Sequence, residues 1–206
     1  MEELKVYLNG ELIPAGEAKI GITDPGFLHG ASAFTTMRAH NGVVFGFERH
    51  LARLADTVRL LGLKVGATGG ELVDGMYAVL DANDLREARC RITLTPGPPE
   101  EARSGDGSPA PTTLITAVPL PDYPAWWYQK GISVVVTSFK QIGGDPTFGH
   151  KTGCYLPRIL ARQEAAAKGT EDALWYTNEN LLAESCFSNV FLVLDGVVYT
   201  PPRDTP

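Results

Sequence analysis

Gly144-Asp-Pro-Thr-Phe-Gly149-His150-Lys151-Thr152 is the stretch on which the fold turns. Two glycines followed by lysine and threonine nearly make a phosphate-cradling loop. Phe191 to Asp195 adds an apolar run ending in aspartate, as the companion strand of such a loop would. That reading implies a nucleotide-binding parallel sheet, and it fails on register and on context. His150 separates the second glycine from the lysine, displacing the N–H groups that must converge on a phosphate. The loop must also join a strand tightly to a helix, whereas the β-branched run Ile132 to Thr137 ends several residues before Gly143. Lys151 makes better sense as an amine nucleophile on a constrained loop just before a helix. A lysine that reacts with carbonyls has to lose its proton near neutral pH, which desolvation or a cationic neighbour arranges. Taken alone, the local sequence suits a solvated surface lysine better still, since most lysines are exposed.

Outward from this loop, strands and helices interleave irregularly, which predicts an α+β chain rather than a βαβ array. Lys5 to Leu8, Asn9-Gly10 and Glu11 to Ile13 form a hairpin signal, because Asn-Gly suits the positive φ angles of a type I′ turn. A second extended pair, Ala33 to His40 and Val43 to Phe47, is joined by Asn41-Gly42. Leu51, Leu54, Ala55, Val58 and Leu61 recur at helical spacing, with Gly62 at the expected C-terminal cap. A further helix is expected over Glu71 to Leu80, and strands over Arg89 to Thr95 and Thr112 to Val118. Between those strands, Pro96 to Pro111 reads as a mobile surface loop. Pro119, Pro121 and Pro124 mark a domain boundary, giving an N-terminal domain over 1–119 and a second domain over 125–206. In the second domain Pro157 falls in the first turn of a helix that runs to Lys168 and is capped by Gly169. Short strands follow over Ala173 to Tyr176, Leu181 to Ala183, Val190 to Leu194 and Val197 to Tyr199, with turns at Asn178 and Asp195-Gly196.

Composition narrows the function. The chain has 206 residues, 44% hydrophobic and 20% charged, with a net charge of -6. That balance argues against general nucleic-acid or membrane binding, while leaving room for a few arginines to hold one phosphate. No stretch approaches the roughly 18 consecutive apolar residues of a membrane helix. The acidic start, Met1-Glu2-Glu3, lacks the basic region of a secretory signal. Cys90, Cys154 and Cys186 have no metal-ligand spacing and are odd in number, which fits incidental thiols in a reducing compartment. The expected location is the cytoplasm, and no metal site is expected.

Several separated stretches resemble the class IV aminotransferases, the fold-type IV pyridoxal-phosphate enzymes, in order and spacing. They are Tyr7-Leu-Asn-Gly10; Asp24-Pro-Gly-Phe-Leu-His-Gly30 with Phe34 to Arg38; and His50-Leu-Ala-Arg53-Leu54. Further along come Lys151-Thr-Gly-Cys-Tyr155-Leu156, then Leu182-Ala-Glu184-Ser-Cys-Phe-Ser188-Asn189-Val-Phe191, and Asp195-Gly-Val-Val-Tyr-Thr-Pro201. The family includes branched-chain aminotransferases, D-amino-acid aminotransferases and 4-amino-4-deoxychorismate lyases. The resemblance implies a two-domain α+β fold of the D-amino-acid aminotransferase type, with pyridoxal 5′-phosphate at the domain interface, and a homodimer.

Carried over residue by residue, the resemblance makes Lys151 the Schiff-base lysine and proton shuttle. Glu184 would accept a hydrogen bond from the pyridine nitrogen; otherwise it is a solvated strand-end glutamate. Arg53 matches the phosphate-binding arginine, whose guanidinium donates along two parallel bonds; otherwise it is a charge on a helix face, like Arg49 and Arg59. Tyr155 matches a tyrosine reaching the cofactor O3′, or is a core aromatic at a helix start. Ser188 and Asn189 match the turn along the cofactor edge; otherwise Asn189 only makes a turn. Phe34, equally readable as core, and Arg91, which could bind a substrate carboxylate or simply end in water, are substrate-pocket candidates. His150 reads as loop structure. The implied reaction moves an amino group between an amino acid and a 2-oxo acid. Its rival within the family is release of pyruvate from 4-amino-4-deoxychorismate in folate (4-aminobenzoate) biosynthesis, towards which Phe34-Thr-Thr-Met-Arg38 and Glu184-Ser-Cys lean. The family's usual length, with a Leu-Pro-Gly-containing loop and further helices after this point, makes the chain look short by roughly a quarter. A non-catalytic fragment is therefore the third reading.

Overall fold

The computed structural model describes residues 3–99 and 111–202. It divides into two compact units: Met1–Asp122 with His150–Cys154, and Tyr123–Gly149 with Tyr155–Pro206. The expected mobile loop of Pro96 to Pro111 lies largely outside the described residues.

The first unit opens with β1 (Lys5–Leu8) and β2 (Glu11–Pro14), paired antiparallel. Their Asn9-Gly10 turn has φ of 51° and 102°, the left-handed pair that a type I′ hairpin requires. A short helix α1 (Pro25–His29) follows, then β3 (Ala33–His40) and β4 (Val43–Val44). The extended pair stops short of its expected end. Gly46, at φ 61°, turns the chain, and Phe47 begins helix α2 (Phe47–Leu60) instead of ending a strand. Burying Phe47 against the core outweighs its β propensity. Helix α3 (Gly69–Ala82) starts on a capping box between Thr68 and Glu71, and strands β5 (Ala88–Thr95) and β6 (Thr112–Pro119) complete the unit. The six strands form one antiparallel sheet in the order β2-β1-β6-β5-β3-β4.

Its core is where the periodicities meet. Leu54 of α2 and Leu72, Met76, Val79 and Leu80 of α3 cover Met37, Ala39, Cys90, Ile92, Leu94 and Ile115 of the sheet. Burial pushes the Cys90 thiol up to about 11, so it is an inert core group. Asp24 is fully buried at the head of α1. It accepts from the Gly26 N–H at 2.7 Å, from Thr112 Oγ1 at 3.1 Å, and from Thr95 Oγ1. Asp24→Ala strips all three donors of their acceptor inside the protein. It is expected to cost about 3 kcal/mol, read as a lowered midpoint of denaturant unfolding; an unchanged midpoint would remove the anchor role.

The second unit contains α4 (Ala125–Lys130), β7 (Val134–Gln141), α5 (Leu156–Ala167), β8 (Asp172–Thr177), β9 (Leu182–Ser185), β10 (Leu192–Leu194) and β11 (Val197–Tyr199). Strand β7 runs four residues further than the β-branched run suggested. Pro157 sits in the first turn of α5, and Gly169 at φ 71° follows its end. β7 pairs parallel with β8, and β8 antiparallel with β9. Ala161 and Ala165 let α5 lie close over Ala173, Trp175 and Cys186. Glu164 ties α5 to β7 by accepting from Thr137 Oγ1 at 2.7 Å and the Ser138 N–H at 3.1 Å. Its carboxyl is drawn down to about 2, first by Lys168 and then by Thr137. The β10–β11 hairpin exposes apolar side chains on both faces. The mixed pairing and interleaved helices make the α+β architecture that the sequence predicted, with no parallel nucleotide-binding sheet among the described residues.

Candidate functional site

In the first unit the site is built on the open edge of β3. β5 pairs with one edge of β3 along its length, while β4 reaches only Ala39 and His40 on the other. The vacant part of that edge is taken by the lysine loop. Phe34 N–H donates to the Lys151 carbonyl at 2.9 Å, Gly153 N–H donates to the Ser32 carbonyl at 2.9 Å, and Thr152 bridges Ala33. Lys151 therefore sits on a loop pinned to a sheet. Its Nζ lies 5.6 Å from the centre of the Phe34 ring, and Arg91 stacks over the same ring at 3.7 Å. Arg91 Nε also donates to Thr93 Oγ1 at 3.0 Å, a neighbour on the same strand face.

Arg53 projects from α2 to the same strand. Its Nη2 donates to Thr35 Oγ1 at 3.3 Å and approaches His50 Nδ1 at 3.2 Å. Thr35 Oγ1 lies 2.9 Å from that same nitrogen. A guanidinium has no acceptor, so His50 Nδ1 must be the acceptor and the ring is the neutral Nε2–H tautomer. The electrostatics agree: His50 is held below its usual 6.5 by burial first, then by Arg53, then by Lys151. A lowered histidine binds its proton more weakly folded than unfolded. Its contribution to stability is therefore complete above about 6.5 and declines as pH falls below that value. Arg53 enters no ion pair among the described residues, so its charge is available to an external anion. Arg53→Gln is expected to raise the His50 titration midpoint towards 6.5, measured by proton NMR of the imidazole. A midpoint that stays put would break the link between these side chains.

His150, next to the lysine, is anchored rather than poised for catalysis. The Thr57 hydroxyl donates to the Arg53 carbonyl at 3.2 Å, so its oxygen accepts from His150 Nδ1 at 3.3 Å. The histidine thus fastens the lysine loop to the helix that carries Arg53.

The second unit holds the remaining candidates. Glu184, on β9, pairs with Arg158 of α5. Tyr155, at the head of α5, stacks on Phe187 with ring centres 5.9 Å apart. Ser188 closes a tight turn: Ser185 N–H donates to its carbonyl at 2.9 Å, and its Oγ lies 2.6 Å from Ser185 Oγ. Since Ser185 Oγ donates to Asp172 at 2.9 Å, Ser188 supplies the proton between the two hydroxyls. Asn189 is exposed, and its side chain takes no hydrogen bond among the described residues. So Lys151, Arg53, Phe34 and Arg91 gather in the first unit, and Tyr155, Glu184 and Ser188 in the second. Sequence reasoning missed His50, which reads as one more polar residue of α2, and Arg158.

The class IV amino-transferase family model matches residues 32–206. A putative branched-chain-amino-acid aminotransferase of Methanocaldococcus jannaschii is 30% identical over 202 residues, covering 97% of this chain and 68% of the relative. The crystal structure of the Escherichia coli branched-chain amino acid aminotransferase superposes with a TM-score of 0.89 at 25% identity, covering 99% of this chain and 69% of that one. The 4-amino-4-deoxychorismate lyase of Pseudomonas aeruginosa superposes with a TM-score of 0.77 at 27% identity, covering 95% and 70%.

Proposed function

The chain belongs to the class IV aminotransferase family, and from that premise we propose an enzyme that moves an amino group between an amino acid and a 2-oxo acid, with Lys151 as its catalytic amine and pyridoxal 5′-phosphate as its cofactor. The observation that carries this reading is the pinning of Lys151 to the edge of β3, beside two cationic arginines and a neutral imidazole. The residues suit the cofactor. A phosphate dianion needs donors and positive charge, which Arg53 provides without a carboxylate partner among the described residues.

When bound, pyridoxal phosphate supplies an aldehyde carbon that exchanges one amine for another and a ring that withdraws the electrons left when the substrate Cα loses its proton. The protein's side chains do the rest. Lys151 Nζ takes the proton from the substrate Cα and returns it on the cofactor side, so it must be neutral at the moment of transfer. Arg53 would hold the phosphate. Glu184 would accept a hydrogen bond from the ring nitrogen, and Tyr155 would hydrogen-bond the ring oxygen. Ser188 and Asn189 would flank the cofactor edge. Phe34 would form a wall of the substrate pocket and Arg91 would bind a substrate carboxylate.

Branched-chain amino acids are the donors that the Methanocaldococcus relative supports. Among the described residues no helix is long and apolar enough to cross a membrane. A homodimer and a cytoplasmic location complete the proposal. The Pseudomonas lyase neighbour supports a second reading, in which the same residues serve pyruvate release. The test is to add pyridoxal phosphate and look for a visible band that borohydride discharges. Amino transfer from leucine to 2-oxoglutarate is then assayed against pyruvate release from aminodeoxychorismate. Pyruvate release alone would move the chain to the lyase reading, and a missing band would leave only the non-catalytic one.

A further inference from the structure

Arg158 is a charge of the second unit with several partners, and nothing in the proposed chemistry yet uses it. Its Nη2 donates to Glu184 Oε1, while its Nη1 donates to the carbonyls of Ser185 and Cys186, each at 3.1 Å. The guanidinium lies 5.6 Å from the centre of the Tyr155 ring and 5.7 Å from that of Trp175. One planar group therefore holds the glutamate and the two backbone carbonyls that follow it. The aromatic rings limit its own freedom. The other carboxylate oxygen, Glu184 Oε2, takes no hydrogen bond among the described residues.

We propose that Arg158 is a positioning residue for the cofactor ring: it fixes Glu184 by one oxygen so that the other accepts the ring N–H. The inference rests on the reading of Glu184 as the ring-nitrogen partner. Two physical consequences follow. A long side chain on a strand loses its rotamer freedom to the guanidinium before the cofactor arrives, so less ordering remains to be done on binding. A carboxylate held in place also keeps its other oxygen aimed at the ring N–H, so the proton stays on the nitrogen. There it makes the ring a better acceptor of electrons.

The experiment compares the unaltered protein with Arg158→Gln, Arg158→Lys and Glu184→Gln, each loaded with pyridoxal phosphate labelled with nitrogen-15 in the ring. The nitrogen shift reports whether the ring carries the proton, and fluorescence titration gives the cofactor Kd. Arg158→Gln is expected to move the nitrogen signal towards the unprotonated form and to weaken binding about tenfold, the size of one lost charge-assisted hydrogen bond. Arg158→Lys keeps the charge but not the fork, so it should retain the protonated signal while still binding more weakly. Should Arg158→Gln fail to fold, Arg158→Lys decides the matter, because unaltered affinity there overturns the positioning role. An Arg158→Gln protein with the original signal and Kd, beside a Glu184→Gln protein in which both move, overturns the role of Arg158 and leaves that of Glu184 standing. If Glu184→Gln moves neither, the reading of Glu184 fails and the inference fails with it.

Discussion

Lys151→Ala is expected to lower amino transfer by roughly 10⁴-fold and to abolish the visible band of the bound cofactor. The size follows from one nitrogen doing two jobs, holding the cofactor covalently and moving the substrate proton. Other lysines have structural employment: Lys140 donates to Asn180 at 3.1 Å and Lys168 to Glu164 at 2.8 Å. Lys151→Arg keeps the positive charge yet cannot lose its proton near neutral pH, so it should be equally inactive. The two variants separate charge from chemistry, because His50 should rise towards its ordinary value only in Lys151→Ala, where the charge is gone. The measurements are steady-state transfer to 2-oxoglutarate, absorbance before and after borohydride, and imidazole NMR. A persisting band, or activity within tenfold of the original, would mean that another amine does the work.

What the sequence showed and what it hid divide along the range of the interactions. The two Asn-Gly turns, the apolar stripe of α2 and the proline in the first turn of α5 are local signals, and each produced the element expected of it. Phe45-Gly46-Phe47 misled, because an aromatic pair after a strand reads as more strand, whereas a glycine at positive φ redirects the chain into a helix. Helices α1 and α4 are five and six residues long, too short to show a period. The lysine loop returns to the first unit through backbone bonds to Ser32 and Phe34, more than a hundred residues away, and such bonds leave no mark in the side-chain sequence. Lys151, Arg53 and Glu184 were singled out because each matched a family stretch. Arg158 had no such match: on α5 it looks like Arg162, and only its hydrogen bonds to Glu184, Ser185 and Cys186 distinguish them.

Gly153→Ala should be the most damaging change that touches no reactive group. A Cβ at this position would meet the Ser32 hydroxyl and lie 2.8 Å from the Gly30 carbonyl oxygen. The serine could rotate, but the carbonyl is backbone, and Gly30 is itself in the left-handed region at φ 69°. Relief therefore requires the Gly153 N–H to leave the Ser32 carbonyl, which loosens the same pairing that fixes Lys151. A displacement of about 1 Å at a reacting nitrogen is worth roughly 10²-fold in rate. Transfer should fall by that order, with a stability loss of about 1–3 kcal/mol from the overpacked contact. Gly69→Ala is the matched control. It opens α3 with nothing within 4 Å of the new methyl and no positive φ, so it should leave rate and stability nearly unchanged. Activity in Gly153→Ala equal to that of Gly69→Ala would show that the lysine loop holds its place without the β3 edge. Lys151 would then owe its position to something other than the sheet.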